Sequence, residues 1–481
     1  MRHQIRKQVM DLTIKGRLDA FRTQHLAGPF YYEQLLPALE KIFDELSHEN
    51  EVMSLDKLEL DLGIIAIAEL EKTGSNIFWE KLLREQITMA LKDQRKDANV
   101  QVAVIKQNAC KQWLFYMEHG YLNWNAAAFD EKAMTGILET LATDYTLVQE
   151  LRRLIRNNRE AMIRIVRGHP ESFLISLVEI LTSNTQRDLS KAVNEIGLLL
   201  QIRNKHVATS TQISKQLQQH TWTRIMEALK DAGPGLNTGM LVKNVLLSEK
   251  DLPILTIELL QKLTTLTTIY PVLKVIQVKQ QVREKQKQYE KQTGKKPNKE
   301  NAIDHPIDQK VEIDEQGIFI SNAGLVLIHP FLSTLFKKLG LVEGGKFINN
   351  HATEKAVHLL HFIATGKTTN EEHELVMAKI LCALPIHYAL KEIIELTEEE
   401  ANETDNLLTA AVEQWEKLGN SSINALRENF LQRPGKLYTK NDMLYLQVEN
   451  GSLDILLDFL PWTLSIVKLP WMKELLRIEW R

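Results

Sequence analysis

Cysteine is almost missing from this chain, and the two that occur, Cys110 and Cys382, lie far apart and form no CxxC pair. That excludes a disulfide framework and a paired-cysteine metal knuckle, and it suits a reducing compartment. A surplus of either charge is missing too. The 59 basic and 62 acidic residues leave a formal charge of −3, whereas a general polyanion binder shows a marked basic excess. Any role on nucleic acid would need a local patch. No apolar run approaches the roughly 18 residues of a membrane span, and the opening MRHQIRKQVMDLTIKG is charged throughout, without the apolar core of a secretory signal. The expectation is a soluble protein made and kept in the cytoplasm unless a machine carries it out.

What is there divides into four segments, with no fixed-period repeat. Residues 1–76 read as a small α+β unit. Residues 3–14 alternate loosely as a strand, Arg17–Leu26 and Tyr32–Leu46 carry helical spacing, and Leu55–Ile67 reads as a strand with Leu58, Leu60 and Leu62 on one side and Glu59 and Asp61 on the other. Residues 77–278 are helical, with segments over Ile77–Lys92, Val100–His119, Asp130–Asn157, Glu160–Val166, Glu171–Leu181, Asp188–Ile202, Thr221–Ala232 and Leu252–Ile276. Residues 279–316, rich in Lys and Gln and poor in large apolar side chains, read as a charged linker that cannot offset its ordering entropy. Residues 317–481 read as a helical domain closed by β-hairpins. Its helices are expected at Leu325–Leu339, Thr353–Thr365, Asn370–Cys382, His387–Leu396, Glu398–Leu418 and Ser421–Leu431. Met443–Val448 and Leu453–Leu457 would then pair across Asn450-Gly451, and Thr463–Leu469 and Leu475–Trp480 would extend the sheet. The fold class is α+β, predominantly helical, ending in a small antiparallel sheet.

Groups that could do chemistry are few. Gly340 to Phe347 satisfies GxxxxGK but places phenylalanine where a nucleotide loop needs a magnesium-binding hydroxyl, and in the second GKT fragment, Gly366-Lys367-Thr368, His361 replaces the first glycine. Both follow helices where a phosphate loop follows a strand, so Gly340 and Gly366 read as helix C-caps. His351, Glu354, His358 and His361 fall on one helical face and are weak candidates for a divalent ion, with a packing face the favoured alternative. No nucleophile-base pair or carboxylate pair can be defended from spacing. The reading is therefore no catalytic residue, no cofactor site, no small-molecule substrate and no nucleic acid.

Two features suit contact with other proteins. Arg152, Arg156 and Arg159 share a face of an arginine-rich helical stretch that also holds Arg153, Arg164 and Arg167, a dock for an acidic protein lining or nucleic acid, with a solvated face the favoured alternative. Trp462, Trp471 and Trp480, two of them just after a proline, are amphipathic anchors for the domain core or for a partner.

The stretch SNAGLVLIHPFLSTLFKKLG at Ser321–Gly340, LELDLG at Leu58–Gly63 and the ending PWTLSIVKLPWMKELLRIEW together resemble the tape measure protein family of contractile injection systems. Matching positions include Leu58, Leu60, Asp61 and Gly63, then Asn322 to Leu325, Pro330, Phe331, Gly366, Pro385, Trp415, Arg427, Phe430, Arg433, Gly435, Trp462, Trp471 and Trp480. The resemblance implies a non-enzymatic assembly component that associates with the inner tube, baseplate or spike and helps set tube length. It would be cytoplasmic during assembly and open to being carried within the particle. The alternative is an adaptor or cargo-loading chaperone of the same particle. Reach argues for keeping that alternative, because even a helix of all 481 residues would span only about 700 Å.

Overall fold

The computed structural model describes residues 5, 8–14, 20–46, 51–55, 57–70, 77–96, 100–203, 211–230, 235–248, 261–269, 313, 317–390, 394–419, 421–441 and 443–480. It groups the four segments read from the sequence into two units, Met1–Lys111 and Gln112–Arg481. The expected linker, 279–316, lies outside the described residues apart from Ile313.

In the first unit, α1 (Ala20–Phe30) and α2 (Leu36–Leu46) are joined by a π-helical turn over Tyr31–Leu35. Pro37 supplies the cause: it has no N–H for the Glu33 carbonyl, and the chain widens so that Leu36 N–H bonds Tyr31 O. These helices and α4 (Ile77–Lys96) bury Phe30, Leu39, Ile42, Trp79, Leu83 and Ile87, with Phe30 and Trp79 edge to face at 5.1 Å. Leu58, Leu60 and Leu62 pack on this core while Glu59 and Asp61 are exposed.

That alternation predicts a strand over Leu55–Ile67, and the structure corrects it. Strand β1 is Glu51–Leu55, residues 57–66 have no ladder partner among the described residues, and the short α3 (Ile67–Leu70) follows. β1 pairs antiparallel with β2 (Val100–Val104), so the helix expected from Val100 starts instead at Ile105, as α5 (Ile105–His119). The alternating Val100, Val102 and Val104 suit a strand, since β-branched residues fit a pleated surface better than a helix. No strand forms in 8–14, the described part of the expected 3–14 strand.

The second unit begins with a helical array: α6 (Glu131–Thr143), α7 (Tyr145–Asn157), α8 (Arg159–Gly168), α9 (Glu171–Thr182), α10 (Leu189–Arg203), α11 (Thr211–Leu229), α12 (Thr238–Ser248) and α13 (Thr264–Ile269). The single helix expected over Asp130–Asn157 breaks at Asp144, whose carboxylate accepts from Thr146 N (3.0 Å) and caps α7. Of the helix expected over Leu252–Ile276, only residues 261–269 are described.

The SNAGLVLIHP stretch is the centre of the C-terminal core. After β3 (Ile318–Ile320), Ala323–Ile328 forms a 3-10 turn with every residue buried, leading into α14 (His329–Lys338). Gly324 has no substitute here: a Cβ on it would lie 1.7 Å from Phe430 O. A small hairpin, β4 (Val342–Glu343) and β5 (Lys346–Phe347), precedes α15 (Asn350–Thr365), α16 (Val376–Leu381), α17 (Glu398–Gln414) and α18 (Ile423–Leu426). No helix forms in the described part of His387–Leu396, where the backbone turns to present His387 O, and Ile386 O just before it, to buried cations.

The terminal sheet runs β3-β6-β7-β9-β8, with β6 Gly435–Lys440, β7 Met443–Val448, β8 Ile466–Val467 and β9 Leu476–Glu479. It is mixed rather than wholly antiparallel, because β9 lies parallel to β7. The partner of β7 across a turn is β6 and not Leu453–Leu457. Gly451 N–H donates to the Asp454 carboxylate (2.8 Å), and Asp454–Phe459 continues as a 3-10 turn.

Candidate functional site

The residues singled out for chemistry are held by the protein's own groups. Gly344 and Gly345, with φ of 58° and 79°, form the two-residue turn between β4 and β5, so the GxxxxGK fragment is a hairpin. Gly366, at φ 70°, caps α15 with its N–H on Phe362 O (2.7 Å).

The histidine face lies on α15, whose first turn Asn349 caps through Ala352 N (2.8 Å). His351 is exposed at that turn. Glu354 accepts from Tyr388 Oη (2.8 Å), His358 Nδ1 meets the Asn370 amide (3.0 Å), and His361 Nε2 lies 3.2 Å from Thr369 O. Each side chain thus turns to a different neighbour. Among the described residues no group of three His, Cys, Asp or Glu is placed to hold a metal ion. Burial pushes His358 down to about 4, helped by Arg167 and His361, and burial also lowers His361.

The arginine stretch is broken at Asn158, which caps α8 through Ala161 N (2.9 Å). The single face expected for Arg152, Arg156 and Arg159 is therefore split between two helices. Arg152 donates to Leu181 O in the last turn of α9, and Arg156 Nε donates to Lys230 O (3.1 Å) just past α11. Cations at two helix C-termini complement the partial negative charge there. Arg159 is exposed.

Arg164, counted with that patch in the sequence, is buried instead, 1% exposed. It is the centre of an ion cluster that sequence spacing missed. Its Nη2 lies 3.1 Å from Glu372 Oε1 and 2.8 Å from His387 O, and its Nη1 donates to Met117 O. The same Glu372 oxygen accepts from Lys379 Nζ (2.7 Å), which also donates to Ile386 O (3.1 Å). Nearby, Ala389 N–H donates to Glu160 (2.6 Å). Burial alone would raise Glu372, but Lys379 and Arg164 hold its carboxyl below the ordinary value; burial lowers Lys379 against the pull of Glu372. One carboxylate thus ties α8 to α16. The available signal was Lys379 itself, a lone cation inside the apolar run VMAKIL.

The three tryptophans each donate their indole N–H within the chain: Trp471 to Leu381 O (2.7 Å), Trp462 to Leu327 O (2.9 Å), Trp480 to Asp454 (3.3 Å). Trp471 is buried against Phe336 and Phe347 and belongs to the core. Trp462 and Trp480 are half-buried and line, with Leu457, Asp458, Leu460 and Leu464, an open cavity of about 350 Å³. Beside it the 3-10 turn exposes Ile455 and Phe459, 63% and 53% accessible. An apolar groove with exposed aromatic neighbours and no convergent reactive groups is suited to packing against another protein.

A family model described as contractile injection system tape measure protein matches residues 2–480. No curated protein and no solved structure matches the chain.

Proposed function

This chain belongs to the contractile injection system tape measure protein family, and from that membership we propose that it is a non-enzymatic assembly component that works with the inner tube and baseplate and helps set tube length. The family is structural, and the observation that carries the reading is a match spanning residues 2–480. The groove around Trp462 and Trp480 supports a protein partner. Among the described residues no helix is long and apolar enough to cross a membrane. We place its assembly role in the cytoplasm.

A second reading, an adaptor or cargo-loading chaperone of the same particle, draws support from the helical array. Its longest described helix, α11, has 19 residues and is about 28 Å long. Neighbouring helices fold back on one another, and the Arg164–Glu372–Lys379 cluster fastens α8 to the C-terminal helices. Such packing shortens the reach of a ruler.

Because α11 packs on α8, which carries Glu160 and Arg164, deletions within residues 100–278 that keep the chain folded separate the two readings. Tube length measured by electron microscopy shortens with the deletion if the chain acts as a ruler and stays constant if it is an adaptor. Particles that form normally without this chain overturn both.

A further inference from the structure

Backbone amides and carbonyls in an extended chain call for partners, and two segments of the first unit have none. Among the described residues, the backbones of Val9–Ile14 and Leu58–Leu62 make no hydrogen bond. The second segment nonetheless has the form of a ladder strand. Leu58, Leu60 and Leu62 pack inward; then Gly63 takes φ 69° and Ile64 turns out, 87% exposed, before Ile65 packs inward again. Gly63 N–H donates to Asp61 Oδ1 (2.9 Å), and a left-handed glycine followed by a one-residue change of side has the shape of a β-bulge, a device in which two residues oppose one on a neighbouring strand. A bulge without a neighbour points to a missing strand.

We propose that the missing strand is Val9–Ile14 of a second copy of this chain, added antiparallel to the bulged segment 60–66. Sequence and exposure select the occupant. With Ile14 opposite Leu60, Leu12 falls opposite Leu62, and Met10 falls opposite Ile65 once Asp11 faces the Gly63-Ile64 bulge. Every inward pair is then apolar. Outward, Thr13 faces the Asp61 carboxylate, and Val9 comes beside Ile64. This covers Met10 (37%) and Leu12 (43%) and sets the exposed Val9 (64%) side by side with Ile64. No like charges lie directly opposite, Asp11 and Asp61 being diagonal neighbours on the outward face, whereas antiparallel self-pairing of LELDLG centred on Leu60 would set Glu59 directly against Asp61. Within one chain the two segments leave each other unpaired. Main-chain bonds then supply the attraction and the alternating apolar face the register.

The test uses the full-length chain with Thr13→Cys and Asp61→Cys, both at exposed positions, carried on separate copies with tags of different size. Both natural cysteines are buried. Mild oxidation of the mixture is expected to give a disulfide-linked heterodimer with both tags. Val9→Cys mixed with Asp61→Cys, four residues out of register, links at least tenfold less. Linkage within one molecule, at all dilutions, of a variant carrying both Thr13→Cys and Asp61→Cys, no linkage in the mixture of single variants, or equal linkage from Val9→Cys each overturn the proposal. Sedimentation of the unsubstituted chain gives an independent reading: a monomer at all concentrations overturns it, and concentration-dependent dimers weakened at least tenfold by Leu62→Pro support it.

Discussion

Glu372→Ala removes the single carboxylate that two buried cations share, and its cost follows from the surroundings. The Arg164 and Lys379 side chains are 2% and 0% exposed, so neither turns to water when their partner is lost. Breaking a buried ion pair by removing one member costs roughly 3–5 kcal/mol, because the other charge stays desolvated. Lys379→Met is the contrast. It removes one cation, leaves Arg164 and Glu372 as a matched pair, fills similar volume and frees only the Ile386 carbonyl, so about 0–1.5 kcal/mol is expected. Glu372→Ala combined with Lys379→Met leaves one stranded cation instead of two and should cost less than the sum of the single changes by at least ~1 kcal/mol. Urea unfolding followed by tryptophan fluorescence measures all three. A loss below about 1 kcal/mol for Glu372→Ala, or a greater loss for Lys379→Met than for Glu372→Ala, refutes the idea that the carboxylate organises the cluster.

Acid should weaken the fold through His358: its folded value is about 4 against an ordinary 6.5, so between those values the unfolded chain takes up the proton first and stability falls as the pH is lowered. His358→Leu should reduce the loss between pH 7 and pH 5 by about 2 kcal/mol, measured as unfolding free energy at the two values; an unchanged difference counts against it. Gly324→Ala, whose Cβ would meet Phe430 O at 1.7 Å, should destabilise by more than about 3 kcal/mol or leave the chain insoluble, whereas a soluble variant with wild-type melting shows that the close approach yields. Phe459→Ser should leave melting within a degree or two and, if the groove is a docking site with a central anchor, reduce particle yield by at least about tenfold; unchanged yield in electron micrographs removes Phe459 from the interface.

Local signals carried much of the fold into the sequence. Apolar stripes marked α2 and the helical array, and Leu58, Leu60 and Leu62 do turn to a core. Glycines marked the ends of α14 and α15, where Gly340 and Gly366 take φ of 65° and 70°, whereas the β4–β5 turn at Gly344 and Gly345 was not legible. What could not be read depended on distant partners. Val100–Val104 became a strand because Glu51–Leu55 lies beside it, and Leu453–Leu457 lost its place to β6 because β7 found a better partner across a shorter connection. His387–Leu396 carries helical spacing, but its start is taken up by carbonyls that serve Arg164 and Lys379. The same holds for the site. Tryptophans at the end of the sequence were visible as anchors, while only tertiary contacts divide them into one buried in the core and two at a groove. Arg164 reads as one of a basic series until Glu372, far along the chain, is brought to it.

The sheet order has a kinetic consequence. β9 is the last of its strands in sequence, yet it sits between β7 and β8, so the layer cannot close until those residues have been synthesised. β3 likewise waits for β6 across the whole set of C-terminal helices. Pairings of such separation are slow to find because the intervening chain must be closed into a loop first. The helices of the array, built from near neighbours, should form early during synthesis, with the sheet arriving as the final event.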